Sequence, residues 1–144
     1  MFFDNLEIDY YIMKNFFDQK TKYLQIIYLE NDLKKNFINP PNARVVRMMC
    51  SGRLELSFGI QALLNGFDGV MVAGCHLGDC HYTSRNYKME RRAEYMPPIL
   101  KNLGINPKSF RLEWCSASEG LRWAKMNKEF VEELKTLGPS PMRK

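Results

Sequence analysis

The sequence predicts one three-layer α/β domain, a mostly parallel sheet of about four strands flanked by helices, flavodoxin-like or Rossmann-like. Two observations predict it. Short apolar runs rich in β-branched and aromatic residues alternate along the chain with segments of helical periodicity. Strands that alternate with helices run parallel and are joined by right-handed crossovers. The 144 residues suffice for one domain with a real core. No internal repeat, low-complexity segment or second domain is visible.

The elements follow in order. Residues 1–22 form an expected N-terminal helical extension, with Phe2, Phe3, Leu6, Tyr10, Ile12, Met13, Phe16 and Phe17 as a loose apolar stripe. A helix this aromatic is sticky alone, so it is expected to pack on the domain or on a partner. The main domain is placed at 23–138. Tyr23 to Leu29 (YLQIIYL) reads as the first strand. Glu30 to Asn36 is polar and reads as a short helical turn, and Pro40-Pro41-Asn42 enforces an extended connection. Ala43 to Met49 is the second strand, with Cys50 at its carboxyl end. Leu56, Ile60, Leu63 and Leu64 have helical spacing, and Gly66 caps that helix.

Gly69 to Gly74 is an apolar run bounded by glycine, as suits a strand covered on both faces. Asn86 to Tyr95 is a helix with Met89, Ala93 and Met96 on one side; Pro97-Pro98 interrupts it, and Ile99 to Leu103 completes it before Gly104. Phe110 to Trp114 is the fourth strand, ending at Cys115. Ser116 to Glu119 reads as a capping box opening a last helix whose expected core face is Leu121, Ala124, Val131 and Leu134. Gly138-Pro139 stops that helix, and 139–144 are expected to be a loose tail.

Composition narrows the function. The formal charge is +5, with Lys and Arg spread along the chain. There is no basic block and no aromatic-basic RNA motif, so no nucleic-acid partner is expected. No apolar run approaches the roughly 20 residues of a membrane span, so no membrane role is expected. Met1 to Glu7 has acidic residues and no apolar core, so no secretory signal is read there, and the expected compartment is the cytoplasm. In a reducing compartment, clustered cysteines are more often metal ligands or redox groups than disulfides.

The cysteines define the candidate site. Cys50, Cys75 and Cys115 each follow a predicted strand, and Cys80 lies five residues past Cys75. In a parallel sheet the carboxyl ends share one edge, where α/β proteins place their sites. With neighbouring strands about 4.8 Å apart, all four thiols are expected to gather at that edge. Three readings remain open on spacing. One is an iron–sulfur cluster, for which four thiolates and a C-x4-C pair are suitable. One is a structural zinc site, which usually prefers C-x2-C pairs. The third is a thiol redox pair or inert buried cysteines. His76 and His81 are read as donors around such a centre rather than ligands. Arg53 is a cation placed to offset thiolate charge, and Asp79 is a partner for Arg53, Arg91 or Arg92. No G-x-S-x-G, Walker or dinucleotide fingerprint is present, so no catalytic residue is assigned.

The strings Val46 to Arg53 (VRMMCSGR), Gly66 to Tyr82 (GFDGVMVAGCHLGDCHY), Asn86-Tyr87 with Arg91-Arg92, and Trp114 with Ser116 to Gly120 resemble the delta subunit of methyl-viologen-reducing hydrogenase. The resemblance runs from about Pro40 to Leu134. It implies an iron–sulfur protein with a 2Fe–2S cluster. In that family the delta chain relays electrons from a hydrogenase, or a formate dehydrogenase, to the flavin-containing A subunit of heterodisulfide reductase. The setting is the cytoplasmic electron-bifurcating machinery of methanogenesis. Cys50, Cys75 and Cys80 carry over by motif; Cys115 is a ligand by position only. The family's further C-N-x-C pair after the first strand is absent, with Glu30-Asn31-Asp32 in its place. That absence favours a second expectation, a non-redox assembly adaptor with a zinc or degenerate metal site.

Overall fold

Val70–Gly74 (β3) is buried along its whole length, as its unbroken apolar sequence requires. In the computed structural model, which describes residues 23–27, 43–48, 50–116 and 118–143, β3 pairs in parallel on both sides. Tyr23–Ile27 (β1) lies on one flank, with Leu24 opposite Val70. Phe110–Trp114 (β4) lies on the other, with Val70 opposite Phe110. Ala43–Arg47 (β2) pairs with the far side of β1, giving the order β2-β1-β3-β4. The expected helical extension at 1–22 and the turn at 30–36 lie outside the described residues.

The helices are Leu56–Leu64 (α1), Arg85–Ala93 (α2), Met96–Asn102 (α3) and Gly120–Leu137 (α4). Pro97 and Pro98 occupy the first turn of α3, where a missing N–H costs nothing. This is why the proline pair restarts a helix here and does not end the segment.

Strand alternation sorts the core into two layers. Val70 and Val72 pack with Leu54, Leu63, Met89, Met96 and Leu100, under α1, α2 and α3. Met71 and Ala73 pack with Trp123, Met126, Phe130 and Leu134 of α4 on the opposite face. The sheet is thus sandwiched between helices, a three-layer arrangement. Each large side chain fully withdrawn from water contributes about 2 kcal/mol.

Two expectations are corrected. The buried face of α4 is Trp123, Met126, Phe130, Val131 and Leu134, whereas Leu121 is 91% exposed and Ala124 faces solvent. Two stripes on this helix have helical spacing, and the one holding Trp123 and Phe130 offers more apolar area to the sheet. The chain after α4 is docked rather than loose. Ser140 N–H donates to the buried Asp68 carboxylate (2.9 Å), Arg143 pairs with the same carboxylate, and Met142 packs against the core.

Candidate metal centre

The site begins where β2 ends. Cys50 precedes a 3-10 turn, Ser51–Arg53, that swings across the carboxyl end of the sheet. Two glycines permit this. A Cβ on Gly74 would meet Ser51 Oγ at 2.6 Å, so only glycine at the end of β3 lets the turn lie over it. A Cβ on Gly52 would sit 2.1 Å from the Arg85 carbonyl oxygen, so the turn rests directly on the start of α2. Arg92 fixes it there, its Nη1 donating to the carbonyls of Gly52 (3.0 Å) and Leu54 (2.8 Å).

The second wall is the loop from Cys75 to Ser84. Gly78, at φ +91°, turns it, and Asp79 N–H donates to the His76 carbonyl (3.0 Å). Asn86 is buried and fastens the loop to α2, its Nδ2 donating to the carbonyls of His76 (2.7 Å) and Cys75 (3.3 Å). His76 Nε2 meets Glu119 Oε2 at 2.5 Å, tying the loop to the start of α4. The Glu119 carboxylate also accepts from Ser116 N–H at 2.7 Å. Only half of the expected capping box forms: Ser116 Oγ lies 2.9 Å from Ser118 Oγ, and α4 starts at Gly120.

Turn and loop bring Cys50 Sγ and Cys80 Sγ to 4.0 Å. The two thiols differ electrically. Burial raises the Cys80 pKa, but backbone N–H groups of Asn86, Tyr82 and Arg85 and the Cys50 thiol outweigh it, and the net shift is downward. The amides at the start of α2 thus favour the thiolate. Cys50 moves the other way: burial pushes it up and the neighbouring Cys80 adds to this, against the Gly52 amide and Arg85. Such a pair can chelate a soft metal through two sulfurs, or close as a disulfide.

Cys115 lies elsewhere. On β4, Phe110, Leu112 and Trp114 face the α1–α3 layer, so alternation turns Cys115 to the α4 layer. Its Sγ contacts the carbonyls of Ser116 and Glu119, both at 3.6 Å. Burial, then the charge of Glu119, pushes its pKa up to about 11, so it stays a neutral thiol. Sheet order also revises the idea that thiols on adjacent strands converge. β1 separates β2 from β3, and Cys50 reaches the loop because its turn crosses the gap. Cys75 is half-buried at the mouth of the loop. Among the described residues, no group of three or more His, Cys, Asp or Glu is arranged to hold a metal ion.

Of the other residues singled out from sequence, Arg53 is half-buried at the end of the turn. His81 is exposed, with its ring edge-on to Tyr82 at 5.2 Å. Arg92 is committed to backbone carbonyls. Asn86, Glu119 and Arg92 organise the site. Their sequence signals were the polar Asn86 in the first turn of a helix, the Arg91-Arg92 pair in its last turn, and the Ser116 to Glu119 capping spacing.

A family model described as methyl-viologen-reducing hydrogenase, delta subunit, matches residues 23–138. The iron-sulfur D subunit of F420-non-reducing hydrogenase from Archaeoglobus profundus is 53% identical over 100 residues, covering 69% of this chain and 73% of that protein. The vhc iron-sulfur D subunit of F420-non-reducing hydrogenase from Methanococcus voltae is 42% identical over 104 residues, 72% of each. The A subunit of ferredoxin:CoB-CoM heterodisulfide reductase from Methanosarcina mazei is 44% identical over 100 residues, which are 69% of this chain and 13% of that protein.

Proposed function

The chain belongs to the methyl-viologen-reducing hydrogenase delta-subunit family, and from that premise we propose that it is an iron–sulfur protein working between a hydrogenase and heterodisulfide reductase. Its relatives named as hydrogenase iron-sulfur subunits support the first partner. The Methanosarcina protein supports the second, because there a homologous segment is built into the reductase's own A subunit. In the fuller form of this reading the chain carries a 2Fe–2S cluster. It passes electrons from hydrogenase, or formate dehydrogenase, to the flavin-containing chain of the reductase in a cytoplasmic bifurcating complex. The order β2-β1-β3-β4 supports a flavodoxin-like or Rossmann-like assignment, with the site at the carboxyl ends of the strands.

The observation that carries the metal assignment is the 4.0 Å separation of Cys50 and Cys80. Two sulfurs at about 2.3 Å from one tetrahedral ion lie roughly 3.8 Å apart, so the pair fits one edge of such a site. The fit covers two positions of a four-thiolate set; Cys115 faces away, and the described residues supply no complete set. Arg92 and Asn86 hold the turn and the loop that carry the two sulfurs, and the amides at the start of α2 favour the charged form of Cys80.

That incomplete set is also what favours the second reading, an adaptor whose metal is zinc or absent. Elemental and acid-labile sulfide analysis of anaerobically purified protein separates them. Iron and labile sulfide in equal amounts, with an EPR signal after dithionite reduction, is the expected result. Zinc alone, or no metal, supports the adaptor and removes the relay.

A further inference from the structure

We propose that the outward face of α2 is the docking surface for an acidic patch on the A subunit of heterodisulfide reductase. The inference rests on the reading of the reductase as a partner, and not on which metal the chain holds.

The first argument is unpaired charge. Arg85, Lys88 and Arg91 are exposed along α2, and among the described residues none has a carboxylate within ion-pair distance. Glu90 and Glu94 lie in the same segment and do not pair with them. Helix α4 has the opposite arrangement. There Arg122 meets Glu119 (3.4 Å), Lys125 meets Glu129 (3.8 Å) and Lys135 meets Glu132 (2.7 Å), leaving Lys128 as the unpaired cation among the described residues of that helix. Exposed pairs of this kind stabilise little, but they cancel the local field. On α2 the field is not cancelled. It reaches about 8 Å into physiological salt and draws in carboxylates.

The second argument is the side chains between the charges. Tyr87, Arg91 and Tyr95 are spaced by four and Lys88 by three from Arg91, so they share one face. Tyr95 is 64% exposed and Tyr87 is exposed beside it. Tyrosine and arginine are the residues that anchor protein interfaces. Leu77 extends the patch: it is exposed, and Asn86 holds the preceding carbonyl, that of His76, against the start of α2.

Position is the third argument. The first amides of α2 lower the Cys80 pKa, and the charge of Arg85 is felt at Cys50. The helix has nine residues and is about 14 Å long, so a partner seated on it lies within one helix length of the two sulfurs. The choice of occupant follows from the Methanosarcina mazei relative, in which a homologous segment and the A subunit are one chain. A phosphate backbone fits the face less well, because the exposed Glu94 lies between Arg91 and Tyr95 in sequence and repels it.

The test measures association of the anaerobically purified full chain with the purified A subunit from the same organism, by calorimetry at increasing salt. Lys88→Glu combined with Arg91→Glu should weaken binding at least tenfold at low salt and flatten its salt dependence. Tyr95→Ala should weaken it about tenfold with the salt dependence unchanged. Lys125→Glu combined with Lys128→Glu makes the same change of charge on α4 and should leave binding within about twofold. All these side chains are exposed, and circular dichroism checks that each variant is folded.

Equal weakening by the α2 and α4 charge reversals would overturn the docking site, and so would α2 variants that bind as the parent does; both outcomes keep the reductase as partner. A parent chain that binds duplex DNA or phosphatidylserine vesicles more tightly than the A subunit would overturn the choice of occupant. No association with the A subunit removes the docking site and that partner together. A chain without iron or labile sulfide that still binds through α2 keeps the docking site and removes the relay.

Discussion

Cys50 and Cys115 both follow a strand's carboxyl end and both are 3% exposed, yet they are different chemical groups. Cys50 lies on the α2 side of the sheet, 4.0 Å from a second thiol whose acidity is raised by helix-terminal amides. Cys115 lies on the α4 side, among Trp123, Met126 and Phe130, with its sulfur against two backbone carbonyls. Position along a strand brings a residue to the functional edge. The side-chain alternation of the strand then decides which layer it enters. Two thiols of equal burial therefore have opposite prospects as ligands.

The comparison can be broken by disturbing one layer at a time. Trp123→Ala empties the α4 layer and should cost about 4 kcal/mol in denaturant unfolding, as large aromatic truncations do. Cys50 and Cys80 should keep their pairing in the folded fraction, because neither belongs to that cluster. Gly52→Ala strikes the other layer. Its Cβ would fall 2.1 Å from the Arg85 carbonyl oxygen, so the turn must lift from α2. We expect a loss of about 3 kcal/mol, at the upper end for overpacking. The yield of Cys50–Cys80 disulfide under mild oxidation should fall with it, while Cys115 is unaffected.

Arg92→Ala removes donors from two carbonyls and should cost about 2 kcal/mol. Alkylation with iodoacetamide at neutral pH then sharpens the chemical contrast. Cys80 should react first and Cys115 last, since burial holds the Cys115 thiol neutral to about pH 11. Equal rates in the metal-free folded protein would contradict the assignment.

The smallest effect concerns the strut between the two layers. Backbone donation from Ser116, then His76, holds the Glu119 pKa down at about 2, against an ordinary 4.5. A depressed carboxylate contributes stability that is present above about pH 4.5 and is lost as pH falls through about 2. Glu119→Gln should therefore lower stability at neutral pH and flatten the acid limb of a stability–pH curve in that window. An unchanged acid limb would show that the strut does not couple the loop to α4.

Much of the fold was legible because strand and helix differ in period. All four strand cores, the glycine-bounded central strand and the proline restart of α3 follow from local patterns. The face of α4 was not, because Leu121–Ala124–Val131–Leu134 and Trp123–Met126–Phe130–Leu134 are both helically spaced, and only packing against β3 chooses between them. The edge carrying the site was legible from Cys50, Cys75 and Cys115, but the strand order was not; nothing local says that β1 separates β2 from β3. The exclusion of Cys115 was available in principle. Phe110, Leu112 and Trp114 form the apolar alternation of β4, and Cys115 falls out of phase with it. Asn86 and Glu119 act across 10 and 43 residues of sequence, a reach that no window reveals.

The most direct measurement is the EPR spectrum of the anaerobically purified, dithionite-reduced protein, compared among Cys80→Ser, Cys115→Ser and the parent chain. The account predicts a signal lost or reshaped in Cys80→Ser and identical to the parent in Cys115→Ser. A spectrum that changes in Cys115→Ser and survives intact in Cys80→Ser would contradict it.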